Sequence, residues 1–166
     1  MILAETAEKL GQRALVGKVC IDRNGPDYYT EKTQESLDAT RSFVKGVLDM
    51  KSGIVEPIIT PRFAPTCTRQ LLEGLGQIAK ETGVRIQTHL SECQPEVKWV
   101  SELEPWASSY TDVYAKTGIL TEKTILAHGI YLDETELSVI KATGSGISHC
   151  PNSNNSIRSG NMDARL

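Results

Sequence analysis

Apolar residues fall into two kinds of pattern that alternate along the chain. Short, nearly continuous apolar runs are typical of strands whose two faces are both covered. Longer segments with apolar residues every three or four positions are typical of amphipathic helices. The strand-like runs are residues 14–21, 55–60, 84–90, 124–128 and 146–150, and the helix-like segments are residues 2–12, 33–49, 68–82, 95–114 and 133–143.

This alternation predicts an α/β fold with about five parallel strands, because a helix between two strands lets the second run parallel to the first. Gly83 and Gly144 follow two of the helix-like segments, and Asp133 begins the last of them, as expected of helix caps. The spacing of the strand-like and helix-like segments fits either an open doubly wound sheet or an arc of a barrel. No linker or low-complexity tract divides the chain, so residues 1–166 are expected to form one domain.

Composition narrows the class of protein. The 166 residues carry a net charge of −3 and no basic stripe, which argues against nucleic-acid binding. No apolar run approaches the ~20 residues of a membrane span, and no signal peptide is recognisable. The four cysteines lack C-x-x-C spacing, so reduced thiols and a cytoplasmic location are expected.

Polar residues of catalytic type follow four successive predicted strands. They are Arg62, the pair His89 and Glu92, His128, and His149, and they include every histidine of the chain. Because parallel strands point the same way, we expect these side chains to meet at one edge of the sheet, where α/β proteins hold their ligands. For any one histidine, a hydrogen-bonded position at the edge of the core is the alternative interpretation.

His89 and His128 are candidate zinc ligands, because neutral imidazole is a common ligand of zinc. Two ligands alone hold a metal weakly, since catalytic zinc usually takes three or more from the protein. Glu92 is a candidate for moving a proton between an activated water and a substrate nitrogen. The alternative role for Glu92 is a favourable charge at a helix N-terminus.

Arg62 and Phe63 are candidate binding residues for a planar ligand. The guanidinium can dock a carbonyl or anionic edge while the phenyl ring stacks on the ligand. The alternative for Arg62 is a surface arginine in a proline-rich loop. Cys93 and Cys150 lie near these residues in sequence, but no partnered base is evident, and we expect both to be packing residues.

Four segments resemble one known family. PRFAPTC (61–67), VRIQTHLSE (84–92), ILAHGIYL (125–132) and GISHCPNSN (146–154) are similar to the guanine deaminases of the amidohydrolase superfamily, and VGKVCIDRN (16–24) fits as well. The resemblance runs over nearly the whole chain, from about Leu10 to Ser159. QTHLSE and SHCPNSN are its more specific pieces, whereas LAHG alone is weak.

The resemblance implies a (β/α)₈ TIM-type barrel of the metal-dependent hydrolase kind with one zinc ion. His89 and His128 match the two histidines that ligate the metal after strands five and six. Glu92 matches the glutamate that shuttles protons. The implied reaction is hydrolysis of guanine to xanthine and ammonia by zinc-bound hydroxide, a step of purine catabolism.

The same resemblance implies how the substrate is bound. Arg62 and Phe63 match the arginine and phenylalanine that contact the purine, and His149 is expected to line the pocket. Guanine is therefore the expected small-molecule partner.

The chain departs from the family pattern in its metal site. The family also uses an H-x-H pair after strand one and an aspartate after strand eight, and no H-x-H occurs in these 166 residues. Asp163 lies too close to the seventh strand to replace that aspartate. We therefore expect one amidohydrolase-related catalytic domain truncated at both ends, holding strands three to seven.

An arc of this kind exposes two sheet edges and the barrel interior. We expect it to aggregate, to form a homo-oligomer or to pair with a missing half, and to show little or no deaminase activity alone. Two alternatives remain. One is another amidohydrolase acting on a pterin, a triazine or a modified nucleoside, and the other is a non-catalytic fragment that binds a full-length homologue.

Overall fold

The computed structural model describes residues 1–163. Its helices are α1 (Ile2–Lys9), α2 (Thr33–Asp49), α3 (Arg69–Thr82), α4 (Gln94–Leu103), α5 (Tyr110–Lys116), α6 (Glu134–Thr143) and α7 (Pro151–Ser156), with a 3₁₀ turn at Ala64–Thr66. Its strands are β1 (Ala14–Val16), β2 (Val19–Cys20), β3 (Val55–Pro61), β4 (Arg85–Leu90), β5 (Thr124–His128) and β6 (Gly146–Ser148).

All strands pair in parallel, in the order β1-β3-β4-β5-β6, and β2 also pairs with β3. Successive strands are therefore neighbours, and the order never reverses. A doubly wound sheet reverses its strand order at a switch point, whereas a barrel does not. The observed order resolves the choice that the spacing left open, in favour of an arc of a barrel.

The first predicted strand, residues 14–21, forms two short segments, β1 and β2, with Gly17 between them. A Cβ atom on Gly17 would lie 2.0 Å from Oγ1 of Thr60 and 2.5 Å from the carbonyl oxygen of Ile58. Only glycine allows the backbone to come this close to β3. Both segments pair with β3, so together they occupy the place of one interrupted strand.

The main core lies between the sheet and the helices that follow its strands. From α3 it takes buried leucine and isoleucine side chains, and from β3, β4 and β5 it takes the buried aliphatic residues that face them. Its members include Leu71, Leu75, Ile59, Ile86 and Leu126. A second cluster packs α1 against β1 and β3. This packing holds β3, β4 and β5 as a rigid platform.

The long helical stretch predicted over residues 95–114 is two helices, α4 and α5. Pro105 lies between them, where its ring and missing N–H oppose a continuous helix. A new N-cap then starts α5, since Ser109 Oγ accepts a hydrogen bond from the backbone N–H of Asp112. The predicted caps of α6 are confirmed, with Asp133 forming a capping box and Gly144 in the left-handed conformation.

All four cysteines are free thiols. Cys20 and Cys67 are buried, and burial raises the pKa of Cys67 to about 12. Cys93 and Cys150 are partly exposed, which differs from the packing role expected for them. Within residues 1–163, no helix is long and apolar enough to span a bilayer.

Candidate active site

The carboxyl ends of β3, β4 and β5 bring the polar strand-end residues to one edge. His89 is in register with Ala127, and Leu90 with His128. The backbone N–H of His89 donates to the carbonyl oxygen of Arg62, at 3.4 Å, which continues the pairing of β3 with β4. The parallel order therefore brings Arg62, His89 and His128 together as the sequence predicted.

The two histidine rings stack with their centroids 5.4 Å apart and their planes 20° from parallel. Nδ1 of His89 lies 2.6 Å from the carbonyl oxygen of Arg62, and Nδ1 of His128 lies 2.7 Å from Oδ1 of Asn154. Both partner oxygens only accept hydrogen bonds, so each Nδ1 carries a proton and donates it. In the neutral imidazole each Nε2 is then the unprotonated nitrogen, which is the form that binds a metal.

His128 is buried and has a backbone φ of +76°, a conformation that side chains other than glycine rarely adopt. The turn that follows it is fixed to the end of β4. Gly129 N–H donates to the Leu90 carbonyl at 2.9 Å, and Ile130 N–H donates to the Ser91 carbonyl at 3.1 Å. Such strain costs about 1–3 kcal/mol and persists where neighbouring contacts over-determine it, often at functional sites.

The Glu92 carboxylate lies beside His128. Its Oε2 is 3.5 Å from Nε2 of His128, and its Oε1 accepts a hydrogen bond from Oγ of Ser159 at 3.3 Å. In the neutral imidazole, whose only proton is on Nδ1, Nε2 and Oε2 face each other as two acceptors. A shared cation near both atoms would relieve their repulsion. The side chain is 18% exposed, so an incoming molecule can reach it.

Arg62 and Phe63 form one wall next to the histidines. The guanidinium carbon of Arg62 lies 4.9 Å from the Phe63 ring centroid. The Phe63 ring meets His89 at 6.3 Å and Trp99 at 6.5 Å between centroids, in edge-to-face arrangements. Trp99 is 38% exposed and lies against Phe63. The wall thus presents aromatic and cationic groups side by side.

The segment after β2 holds the loop that carries Arg62 and Phe63. Arg23 Nη2 donates to the Ala64 carbonyl at 2.7 Å, and Asn24 Nδ2 donates to the Pro65 carbonyl at 2.7 Å. Arg23 also forms an ion pair with the buried carboxylate of Glu104. These bonds give a structural reason for Arg23 and Asn24 in the VGKVCIDRN segment.

Sequence reasoning missed two buried groups near the site, Asn154 and Glu96. Asn154, on α7, is 2% exposed and orients His128, and its position within SHCPNSN was the available signal. Glu96, on α4, is 7% exposed. Burial raises the pKa of its carboxyl group, with the Glu92 charge acting in the same direction and a Tyr110 hydrogen bond opposing them. Nothing in the sequence distinguished Glu96 from a surface helix residue.

His149 is the predicted site residue that stands apart. It follows β6, whose Ser148 is in register with Ala127, so His149 comes at the level of His128. Its side chain is exposed. In the described part of the chain it makes no hydrogen bond, ion pair or ring contact with the other five predicted residues.

The donors present match part of a catalytic zinc site. Nowhere in residues 1–163 do three or more His, Cys, Asp or Glu side chains cluster in a way that could hold a metal ion. The Nε2 atoms of His89 and His128 are two donors of the right type, each backed by a hydrogen bond at Nδ1 as ligating histidines usually are. A catalytic zinc usually needs at least one further protein ligand.

Comparison with known proteins places this arrangement in a family. The model of the amidohydrolase family matches residues 2–166. The chain belongs to the amidohydrolase family. The expected partial TIM-type barrel of parallel strands is thereby confirmed, and so is the resemblance to guanine deaminases among amidohydrolases.

The guanine deaminase of Dictyostelium discoideum is 46% identical over 164 residues, which are 99% of this amidohydrolase chain and 36% of that protein. The crystal structure of the C. acetobutylicum guanine deaminase with bound guanine in the active site matches with a TM-score of 0.96 and 40% identity, over 99% of this chain and 39% of that one. The chain therefore spans about a third of the length of the curated relatives that it matches.

A zinc-bound adenosine deaminase from Xanthomonas campestris matches with a TM-score of 0.83 over 97% of this chain and 35% of that one. Its identity is 21%, so this likeness shows the fold alone.

Proposed function

We propose that this chain is the part of a zinc-dependent guanine deaminase that carries the purine-binding wall, two metal ligands and the proton-transfer group. The observation that carries the proposal is the pair of histidines, each with Nδ1 held by an acceptor and Nε2 left free, beside the Glu92 carboxylate. Its substrate class comes from the relatives, among which is a guanine deaminase structure with bound guanine, at 40% identity.

His89 and His128 would hold the zinc ion through their Nε2 atoms. Bound there, zinc would lower the pKa of a water molecule toward ~7 and so make hydroxide available at neutral pH. Arg62 supports His89 through its backbone, because the Arg62 carbonyl accepts the Nδ1 hydrogen bond that orients the His89 ring. Further ligands would come from outside the described residues.

Glu92 would transfer protons in hydrolytic deamination. Its Oε2 lies on the Nε2 side of His128, so it can accept a proton from the attacking water and deliver it to a ring nitrogen of the purine. Ser159 anchors Oε1, which leaves Oε2 as the oxygen that faces the reacting groups.

Arg62, Phe63 and His149 would bind the purine. The guanidinium donors of Arg62 match the carbonyl oxygen of guanine, and the Phe63 ring beside it offers an aromatic surface. His149 lies at the open side of the edge, at the level of His128, where it can contact the far side of a planar ligand.

The chain would act as one piece of a catalytic domain in the cytoplasm, within purine catabolism. Alone it would associate with further copies or with the remainder of a barrel. The N-terminal helix supports association, because Ile2 is 82% and Leu3 67% exposed. Alone, we expect the chain to form little or no xanthine from guanine and to bind zinc substoichiometrically, which elemental analysis measures.

A chimera tests the assignment directly. This chain would replace the corresponding segment of the C. acetobutylicum guanine deaminase, to which it is 40% identical. We expect the chimera to convert guanine to xanthine. Glu92→Gln in the chimera should reduce turnover by ~10²–10⁴-fold, which is the contribution of a general acid–base group. His89→Ala should remove both zinc and activity.

Two outcomes would contradict the proposal. A folded chimera that retains turnover with Glu92→Gln would exclude the proton-transfer role. A folded chimera that leaves guanine intact but hydrolyses a pterin, a triazine or a modified nucleoside would assign the segment to another amidohydrolase activity. The exposed Glu102→Gln, on α4, is the matched control and should leave turnover unchanged.

A further inference from the structure

The hydroxyl group of Tyr114 joins two segments of the candidate site. Tyr114 lies on α5 and is fully buried. Its hydroxyl oxygen accepts a hydrogen bond from the backbone N–H of Ala64, at 3.0 Å, and the hydroxyl donates to the backbone carbonyl of His89, at 2.8 Å. One side chain therefore bonds both the loop that carries Arg62 and Phe63 and the end of β4.

A second hydroxyl extends this link to the oxygen that orients His89. Oγ1 of Thr88 lies 3.1 Å from the Tyr114 hydroxyl and 3.3 Å from the carbonyl oxygen of Arg62. The same carbonyl oxygen lies 2.6 Å from Nδ1 of His89. Thr88 carries one hydroxyl proton, so it donates either to the Arg62 carbonyl or to the Tyr114 hydroxyl, whose own proton goes to the His89 carbonyl. Tyr114 and Thr88 therefore hold the end of β3 against the end of β4, where the Arg62 carbonyl meets the histidine ring.

Tyr114 itself has little freedom to move. Its ring packs against the Tyr110 ring, with centroids 5.4 Å apart. Helix α5 is tied to α6, because the Thr111 N–H donates to Oε1 of Glu136 at 3.1 Å, and Ser109 caps its N-terminus. A hydroxyl on a fixed, buried ring holds its partners at a set distance.

We propose that Tyr114 is a positioning residue that keeps the Arg62 carbonyl on Nδ1 of His89. By doing so it holds His89 in the tautomer whose Nε2 is free for a ligand. This inference rests on the proposed function only in taking zinc as that ligand. Tyr114 touches neither the substrate nor the reacting atoms in this role, and it acts through the backbone of β3 and β4.

The test compares Tyr114→Phe with Tyr110→Phe in the chain itself. Both changes delete one oxygen from a buried ring on α5. Only the first removes the bonds to Ala64 and His89, whereas the second removes the long contact, 3.5 Å, between the two tyrosine hydroxyls. ¹⁵N NMR of the imidazoles reports the tautomer of His89. We expect wild type and Tyr110→Phe to hold the proton on Nδ1, and Tyr114→Phe to show a mixture of the two tautomers.

Zinc affinity of the same variants in the C. acetobutylicum chimera, measured by competition with a chelator, gives a second measurement. Tyr114→Phe should weaken zinc binding about tenfold, the low end of the ~10–100-fold loss usual when a group behind a ligand is removed. Tyr110→Phe should leave it unchanged despite a similar loss of thermal stability. Thr88→Val removes the second hydroxyl and should shift the His89 tautomer in the same direction. This variant takes the place of Tyr114→Phe in the comparison if Tyr114→Phe does not fold.

An unaltered His89 tautomer in a folded Tyr114→Phe protein would overturn the inference, and so would equal effects of the two tyrosine variants. Failure of the proposed function looks different. In that case the unaltered chimera binds no zinc and leaves guanine intact, while the NMR comparison still decides whether Tyr114 orients His89.

Discussion

The central strands and the last strand of the sheet carry the same sequence signal but differ in structure. β4 and β5 pair over five positions and carry His89 and His128 near their carboxyl ends, where the two rings are stacked and held at Nδ1. β6 has three residues, is mostly exposed, and is followed by the exposed His149. A histidine after a strand therefore becomes part of a defined site only where buried packing fixes its ring.

The segment after β6 does support the central groups His128 and Glu92, but through residues other than His149. Asn154 on α7 reaches Nδ1 of His128, and Ser159 reaches Glu92. The C-terminal part of the described chain thus supports the central groups from behind, while its own histidine remains on the open side.

The largest expected difference between the two regions is in stability. Leu126 on β5 is fully buried, whereas Ile147 on β6 is only partly buried. Leu126→Ala should lower the free energy of unfolding by about 2–5 kcal/mol, because it leaves a cavity in a packed core. Ile147→Ala should cost clearly less. Urea denaturation measures both, and equal losses would contradict the distinction between a rigid centre and a loose edge.

The second largest expected difference between the two regions is in zinc affinity. His128→Ala removes a candidate ligand, and zinc affinity should fall by more than the ~10–100-fold that loss of a supporting group causes. His149→Ala removes a histidine at the same level on the neighbouring strand and should leave zinc affinity nearly unchanged. Titration calorimetry of the C. acetobutylicum chimera measures both. A larger loss of zinc affinity in His149→Ala than in His128→Ala would make His149 the metal ligand and His128 the substrate-binding residue.

Asn154→Ala tests the support that the last region gives to the centre. Without Oδ1, the His128 ring loses the acceptor that sets its tautomer, and zinc affinity should fall by about 10–100-fold. Asn155→Ala, at an exposed position of the same helix, is the control and should have no effect. If both variants bind zinc as the wild type does, the contact of α7 with His128 has no role in metal binding.

The sequence predicted the central region better than its edges, for physical reasons. β5 and α2 have the predicted bounds, since an apolar run or a helical period is a local property. The break at Gly17 depends on its approach to Thr60, which lies far along the chain, and local patterns do not carry such a contact. The meeting of Arg62, His89 and His128 followed from the parallel strand order, but the same order also predicted that His149 would join them, and it stands apart. The contacts of Asn154, Glu96 and Tyr114 arise from packing between helices and strand ends, and no periodicity encodes them.

The smallest expected effect concerns Glu96, a buried carboxyl group behind the central site. Burial raises its pKa above the usual 4.5, so the folded protein holds this proton more tightly than the unfolded chain does. The stability that the group contributes is therefore fully present below about pH 4.5 and is lost as the pH rises through the folded-state pKa.

Glu96→Gln keeps the shape of the side chain and removes the titration. The unfolding free energies of this variant and of wild type are measured in urea from about pH 4 to about pH 8. Their difference should shift in favour of the variant as the pH rises and should become constant once the wild-type carboxyl group is ionised in the folded protein. The exposed Glu102→Gln on the same helix should run parallel to wild type throughout. Parallel curves for Glu96→Gln as well would mean that this carboxylate is solvated in the folded protein, so that the region behind Glu92 and His128 is as open to water as the edge at β6.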